Sequence, residues 1–236
     1  MLELRRDARP LAVGHRGAAA LAPENTLESL HAALDLGVDA IEFDVRAQPD
    51  GTLVLAHDPA VSSGALTLDE ALSWFGGHGA IAHVDVKAPG YEDGVVAALR
   101  RHDLLGRAYV SSARAASIRR FAELAPELPR ALAYPEDRLG LSGPRVMAPF
   151  VAGALVGMRH VLPLRIAPML RSAGATAAAL HHQLLTPATV RRCHALGIPV
   201  IAWTVNDAAR LRALTALGVD AVVSDDPRIF ASTLSA

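Results

Sequence analysis

One short pattern occurs three times in this chain and constrains its fold more than any other feature. It consists of a leucine, a glycine and a mostly apolar run, at residues 36–41, 196–201 and 217–222. A glycine at this position can take the left-handed conformation that ends a helix, and the run after it is typical of a strand. The repeat therefore predicts a helix-to-strand turn used several times, as in a parallel α/β fold.

The rest of the chain alternates between short apolar segments and amphipathic segments of helical length. Eight segments are predicted to be strands, at residues 11–15, 40–46, 80–87, 108–112, 129–134, 177–182, 199–205 and 220–224. Helices are predicted between them, among them residues 26–36, 91–102, 114–124, 187–196 and 207–217. Eight strands in 236 residues match a (β/α)8 TIM-type barrel, which typically needs about 250 residues. We therefore expect α/β architecture and one barrel domain over residues 1–236.

Local signals add detail to two parts of this outline. Asn25 with Glu28, and Thr67 with Glu70, have capping-box spacing, while Thr186 precedes a proline at a first helical position. A turn at residues 49–51 predicts that residues 53–56 form a short paired strand that delivers His57.

Net charge and cysteine content narrow the class of protein. The net charge of −1 excludes a broadly basic nucleic-acid binder. The only cysteine is Cys193, so no intrachain disulfide can form, which fits a reducing compartment. Residues 1–9 are charged and lack the apolar core of a signal peptide. We therefore expect a cytoplasmic location.

Positive charge is concentrated between Arg138 and Asn206, where no acidic residue occurs. A solvated face is the main interpretation, and a flank that attracts anionic substrate or membrane is the alternative. Within this segment an apolar run, residues 146–158, is too short to span a bilayer. It is predicted to be a helix of the barrel wall, and a lid or peripheral membrane contact is less favoured.

Alternating carboxylates on the second predicted strand indicate a site that binds a cation. Glu42 and Asp44 point to one face of the strand, and the apolar residues between and beside them point to the other. Two carboxylates about 4 Å apart repel by about 4 kcal/mol at an effective dielectric of roughly 20. The third strand ends with a further acid and the chain's only lysine, Asp85 and Lys87. A bound divalent cation is the simplest reason for three acids at neighbouring strand ends.

Several short motifs together resemble one known family. They are Gly14-His15-Arg16-Gly17, Pro23-Glu24-Asn25-Thr26, Glu42-Phe43-Asp44, His57-Asp58, Asp85-Val86-Lys87 and Trp203-Thr204-Val205-Asn206. In combination they resemble the glycerophosphodiester phosphodiesterase family. The resemblance implies a TIM-type barrel that hydrolyses phosphodiesters with a bound divalent metal. That family usually carries a cap insertion after the His-Asp pair, which is truncated here because only residues 59–66 precede the next predicted helix.

The residues and the resemblance together assign a role to each member of the site. His15 and His57 are predicted to act as general acid and base. Glu42, Asp44 and Asp85 are predicted to bind Mg2+ or Ca2+, since these hard ions prefer oxygen ligands. Substrate contacts are expected from three further residues: Arg16, Lys87 and Trp203. The motif of Glu24, Asn25 and Thr26 is expected to support the site from behind. A phosphate site after strands seven and eight is rejected, because those loops carry Asp207, Asp225 and Asp226.

The leading functional hypothesis is metal-dependent hydrolysis of small glycerophosphodiesters to sn-glycerol 3-phosphate and an alcohol. The alternative is a lysophospholipase D or sphingomyelinase D-like enzyme that uses the same site on a lipid, because Asp85-Val86-Lys87 resembles the motif of those phospholipases. A non-catalytic phosphoester-binding protein is the third possibility. No oligomeric state is predicted.

Overall fold

The computed structural model describes residues 9–136 and 148–234, except the side chains of 148–156 and 232–234. Strands and helices alternate along the described chain. The strands are β1 (Leu11–Gly14), β2 (Ala40–Ala47), β3 (Leu53–Leu55), β4 (Ile81–Val86), β5 (Ala108–Ser112), β6 (Arg130–Tyr134), β7 (Ala177–His181), β8 (Val200–Trp203) and β9 (Ala221–Ser224). The helices are α1 (Leu27–Asp35), α2 (Leu68–Gly76), α3 (Glu92–Arg101), α4 (Ala115–Leu124), α5 (Ala148–Ala173), α6 (Pro187–His194), α7 (Ala208–Leu217) and α8 (Arg228–Leu234).

Eight of the strands form a closed parallel barrel. The hydrogen-bonded order runs β1-β9-β8-β7-β6-β5-β4-β2, and β1 also pairs with β2, which closes the ring. β3 pairs with β2 in the antiparallel direction and forms a short hairpin on the barrel rim. The predicted (β/α)8 barrel is therefore confirmed, with each barrel strand in a segment predicted to be one.

Two apolar layers stabilise the barrel. The larger lies between the strands and the surrounding helices, where Phe43 and Phe75 pack with ring centroids 5.4 Å apart. The smaller fills the barrel interior and includes Leu11, Val13 and Tyr109. Because side chains alternate along a strand, every second residue points into this interior and the intervening ones face the helices. That alternation places the polar residues of β2 and β4 inside the barrel.

The repeated glycine turn has the predicted conformation. Gly37, Gly197 and Gly218 all have positive φ, between 70° and 86°, and each lies between a helix and the following strand. The short paired strand predicted over residues 53–56 is present as β3. Between His57 and α2 the chain contains no helix or strand beyond an isolated bridge from Val54 to Thr67. The predicted short cap is therefore confirmed.

One capping prediction is wrong. Thr26, not Asn25, caps α1, and the reciprocal hydrogen bond comes from Ser29 rather than from Glu28. Asn25 has a φ of 60°, and its side chain turns toward β2. Capping-box spacing depends only on local sequence, whereas the Asn25 side chain hydrogen-bonds to Asp44 on β2 instead of capping the helix. The capping box of Thr67 with Glu70 and the Thr186 cap before Pro187 are confirmed.

Most of the apolar run at residues 146–158 lies outside the described side chains. Residues 146 and 147 precede α5, and the backbone from Ala148 onward is helical. The second half of α5 packs on the barrel through Leu162, Ile166 and Leu170, while Leu164 is 82% exposed. Among the described residues, no helix is sufficiently long and apolar to span a membrane.

Candidate active site

The residues predicted to form the site converge at the carboxyl ends of the barrel strands. His15 follows β1, Glu42 and Asp44 lie on β2, and Asp85 lies on β4. The register places Asp44 beside Asp85, because β2 and β4 are neighbours. Active sites of TIM barrels occupy this end of the barrel.

The three acidic side chains form a compact cluster. One carboxylate oxygen from each of Glu42, Asp44 and Asp85 lies within 4.8 Å of the others. Glu42 is 4% exposed and Asp44 is 0% exposed, whereas Asp85 is half-buried. The spacing is short enough for one cation to contact all three.

The two buried acids of the cluster, Glu42 and Asp44, have pKa values shifted in opposite directions. Burial, together with the charge of Asp44, raises the pKa of Glu42 to about 8. Burial acts on Asp44 in the same sense, but Lys87 and Arg16 outweigh it and hold the pKa of Asp44 below its usual range. Without a cation the cluster therefore holds a proton on Glu42 near neutral pH.

Two cationic side chains reach into the cluster. The Lys87 ammonium lies 2.5 Å from Asp44 Oδ1 and 2.6 Å from Asp85 Oδ2. Arg16 places Nε 3.1 Å from Asp44 Oδ2 and donates from its guanidinium to Glu24 Oε2 at 2.6 Å. Burial opposes protonation of Lys87, but its acidic neighbours outweigh burial and raise its pKa. Both cations contact Asp44, and Arg16 also lines the cavity beside the cluster.

A tight turn after β1 delivers His15 and Arg16 to this point. Arg16 and Gly17 have φ of 49° and 85°. A Cβ atom at Gly14 would lie 2.3 Å from the Gly17 carbonyl oxygen, and one at Gly17 would lie 2.3 Å from Ser29 Oγ. Both positions therefore require glycine. The turn aims the Arg16 backbone N–H at Glu42 Oε2, 2.8 Å away.

Asn25 supports the cluster directly. Its Nδ2 donates to Asp44 Oδ2 at 3.0 Å, and its Oδ1 accepts from the Asp44 backbone N–H at 3.0 Å. Asn25 is 5% exposed. The amide thus fixes the position and the ionised state of Asp44, in line with the expected supporting role of the Glu24-Asn25-Thr26 motif.

Asp225 is a site residue that sequence reasoning missed. Its Oδ1 lies 2.5 Å from His15 Nδ1, and its Oδ2 accepts from Asn206 Nδ2 at 2.5 Å. Glu42 and Asp225 outweigh the effect of burial and raise the pKa of His15. The sequence predicted that this acidic loop would repel phosphate. Barrel closure was the available signal, since it brings β9 beside β1 and turns residues 221, 223 and 225 inward.

His15 faces the acidic cluster with its second nitrogen. His15 Nε2 lies 3.9 Å from Glu42 Oε2. Beside it a cavity of about 530 Å3 opens, lined in part by Arg16, Glu24 and Asp225. The imidazole therefore stands between the acidic cluster and open space for a ligand.

His57 lies on the rim, in the loop after β3. The Ala56 N–H donates to the Asp44 carbonyl at 3.1 Å, and Arg46 Nε donates to the His57 carbonyl at 2.7 Å. The imidazole bonds Asp58 Oδ1 through Nδ1 at 2.8 Å and its side chain is 41% exposed. The backbone is thus anchored at the end of β2, and the catalytic role of His57 stays a prediction.

Trp203 ends β8 on the other side of the mouth. It is half-buried, and its indole packs edge to face against His181, with ring centroids 5.4 Å apart. Its Nε1 is buried without a hydrogen-bond partner among the described residues. Its contact with substrate stays a prediction.

The donor set fits a hard divalent cation. Every candidate ligand atom is a carboxylate oxygen, the type that Mg2+ and Ca2+ prefer. Burial and the charge of Asp44 raise the pKa of Glu42 to about 8, so a proton on Glu42 would offset part of the negative charge of the three acids near neutral pH. A cation could take the place of that proton, with Glu42, Asp44 and Asp85 as its ligands.

Comparison with known proteins finds relatives that match most of the chain. A glycerophosphodiester phosphodiesterase from Caldanaerobacter subterraneus is 26% identical over 258 aligned residues, covering 93% of this chain and 95% of the relative. One from Bacillus subtilis is 25% identical and covers 94% of this chain and 85% of the relative.

Solved structures share the fold. A phosphodiesterase from Oleispira antarctica, solved with the product sn-glycerol-3-phosphate, has a TM-score of 0.75 at 24% identity, covering 97% of this chain and 98% of that chain. A glycerophosphodiester phosphodiesterase from Parabacteroides distasonis has a TM-score of 0.75 at 19% identity, covering 96% and 97%.

The sequence profile of the glycerophosphoryl diester phosphodiesterase family matches residues 15–70 and 83–229. These two segments contain every residue predicted for the site. They also include Asp225, which the structure adds. The chain therefore belongs to the glycerophosphoryl diester phosphodiesterase family.

Proposed function

We propose that this chain hydrolyses glycerophosphodiesters to sn-glycerol 3-phosphate and an alcohol, using a divalent cation and two histidines. The observation that carries the proposal is the meeting of a three-carboxylate cluster with His15 at one barrel mouth, where His15 Nε2 lies 3.9 Å from Glu42 Oε2. The names of the relatives and the product bound by the Oleispira antarctica enzyme support the same substrate class.

The roles of the acids follow from their donor atoms. Glu42, Asp44 and Asp85 would hold the cation, and a bound cation would supply Lewis-acid polarisation of the phosphoryl group. Asn25 keeps Asp44 in position through its two hydrogen bonds. Lys87 and Arg16 would meet the remaining phosphate charge, since both are cationic and lie beside the acids at Asp44.

Proton transfer falls to the histidines. Hydrolysis needs one group that removes a proton from the nucleophile and one that gives a proton to the departing alkoxide. Asp225 accepts from His15 Nδ1, so Nε2 is the nitrogen left to exchange a proton at the mouth. His57, anchored beside Asp44, is its proposed partner. Trp203 would pack against the substrate from the far side of the mouth.

No observation favours the lipid alternative. Three of the four relatives described above are named glycerophosphodiester phosphodiesterase, and the fourth was solved with the product sn-glycerol-3-phosphate. Peripheral membrane contact by the arginine-rich segment stays a less favoured prediction. The proposed cation is either Mg2+ or Ca2+, since both prefer oxygen ligands.

A substrate panel tests the proposal. The purified protein with Mg2+ or Ca2+ would be offered glycerophosphocholine, glycerophosphoethanolamine and lysophosphatidylcholine, and sn-glycerol 3-phosphate would be measured with a coupled dehydrogenase assay. We expect release of sn-glycerol 3-phosphate from the two deacylated diesters. Faster hydrolysis of the lysolipid, detected as released choline, would support the lipid alternative. No hydrolysis with either metal would contradict both.

A further inference from the structure

A buried hydrogen-bond chain runs behind the acidic cluster. Ser111 Oγ lies 2.5 Å from Asp85 Oδ1, and His83 Nε2 lies 2.7 Å from the same Ser111 Oγ. His83 is 4% exposed and Ser111 is 2% exposed. This series of hydrogen bonds begins inside the barrel at His83 and ends at Asp85, the least buried of the three acids.

The direction of each hydrogen bond follows from the number of protons. An ionised carboxylate only accepts, so the single hydroxyl proton of Ser111 must point to Asp85. His83 Nε2 must then carry a hydrogen and donate it to Ser111 Oγ, because otherwise two acceptors would face each other. A proton donated by His83 therefore leaves the Ser111 hydroxyl proton free to point to Asp85.

Two adjacent strands fix this arrangement. The register of β4 and β5 pairs His83 with Tyr109 and Asp85 with Ser111. The His83 ring stacks on the Tyr109 ring, with centroids 4.1 Å apart and planes 23° apart. All four side chains point into the barrel, so the position of the serine hydroxyl is set by the sheet rather than by a loop.

Without the serine, the Lys87 ammonium would be the only partner of the Asp85 carboxylate among the residues that the structure describes. Asp85 Oδ2 lies 2.6 Å from the Lys87 ammonium, which pulls the group toward the lysine. The Ser111 hydroxyl holds the other oxygen from the opposite strand. We propose that Ser111, oriented by His83, is a positioning residue that holds the Asp85 carboxylate in place to bind the divalent cation. This inference rests on the proposed function.

Metal affinity is the direct readout. Residues that hydrogen-bond to a metal ligand typically contribute about 10–100-fold to metal affinity. We expect Ser111→Ala to weaken binding of Mg2+ or Ca2+ to the EDTA-stripped protein by about 10–100-fold, measured by calorimetry. Ser112→Ala is the matched control. Ser112 is equally buried on the same strand, but its hydroxyl donates to the Val86 carbonyl on the outer face. We expect that control to keep the native affinity.

A second pair of variants separates loss of the hydroxyl from loss of volume. Ser111→Thr and Ser111→Val introduce side chains of nearly the same shape, of which only threonine keeps the hydroxyl. We expect threonine to bind the metal at least about tenfold more tightly than valine, even if Ser111→Ala is poorly folded.

Three results would overturn the inference. Metal affinity of Ser111→Ala within twofold of native would do so, as would equal affinities of the threonine and valine variants. A loss in Ser112→Ala as large as that in Ser111→Ala would show general damage to β5. If instead the native protein binds neither metal, the proposed function fails together with the inference.

Discussion

The two halves of the barrel interior differ sharply, although the same strand pairing builds both. On β2, β4 and β5 the inward residues toward the mouth are charged or polar, and five carry the site: Glu42, Asp44, His83, Asp85 and Ser111. On β6, β7, β8 and β9 the inward residues before the mouth are apolar, and His181 at the end of β7 is the polar exception. The apolar residues are Ala131, Ala133, Ala177, Ala179, Ile201, Trp203, Ala221 and Val223. We refer to these as the charged half and the alanine half.

The difference shows what a parallel barrel requires and what it leaves open. Backbone hydrogen bonds are satisfied in both halves, so the inward side chains are free to vary. Buried charges are tolerated only where each has a partner. In the charged half Asp44 has Lys87, Arg16 and Asn25, and Asp85 has Lys87 and Ser111. Cation binding is therefore expected in the charged half, with His15 at its edge after β1, which pairs with β2, and substrate contacts from the rim of the alanine half.

The largest expected effect comes from the cation ligands. Glu42→Ala or Asp44→Ala should remove detectable turnover and also the rise in melting temperature that added metal causes, because the same ligands serve both. Thermal denaturation with and without Mg2+ or Ca2+, beside the diester assay, checks this. A variant that keeps turnover but no longer gains melting temperature from added metal would show that the metal bound by the cluster is not needed for catalysis.

The histidines should give the next largest effect. His15→Ala and His57→Ala should each lower turnover by at least about a hundredfold, the usual scale for a general acid or base, while metal affinity persists. Calorimetric metal titration of each variant is the control. Near-native turnover in either variant would remove that histidine from the mechanism.

These expectations also show where sequence was sufficient. The alternation of Glu42 and Asp44 on one strand, and the position of Asp85 at the next strand end, predicted the cluster because both are local patterns. Asp225 and Ser111 had no such signal. Asp225 lies 210 residues from His15, and its role depends on ring closure. Asn25 was predicted both to cap a helix and to support the site, but spacing alone cannot reveal that its partner is Asp44.

Metal affinity should depend on pH in a direction that follows from Glu42. Burial and Asp44 raise the pKa of Glu42 to about 8, so below that pH a cation must displace a proton. Affinity should rise about tenfold per pH unit up to roughly pH 8 and then level off. The same shift affects the stability of the metal-free protein. Between pH 4.5, the ordinary pKa of a glutamate, and about pH 8, the pKa of Glu42 in the folded protein, only the folded state keeps the proton on Glu42. The free energy of unfolding should therefore fall as the pH rises through this range.

Calorimetry at several pH values, in buffers with different ionisation enthalpies, measures both the affinity and the proton released. An affinity that stays constant between about pH 6 and pH 9 would contradict the protonation assigned to Glu42.

The alanine half should show the smallest effect. Trp203→Ala should raise KM several-fold with little change in kcat, because the indole would contact bound substrate without moving a proton. Steady-state kinetics on glycerophosphocholine measures the two constants separately. A large fall in kcat with unchanged KM would place Trp203 in the chemical step and weaken the contrast between the halves.

The central claim is that the cluster of Glu42, Asp44 and Asp85 works through a bound divalent cation. The most direct test measures release of sn-glycerol 3-phosphate from a glycerophosphodiester before EDTA treatment, in excess EDTA, and after Mg2+ or Ca2+ is restored. The account predicts that turnover disappears in EDTA and returns with the metal. Full turnover in excess EDTA would contradict it.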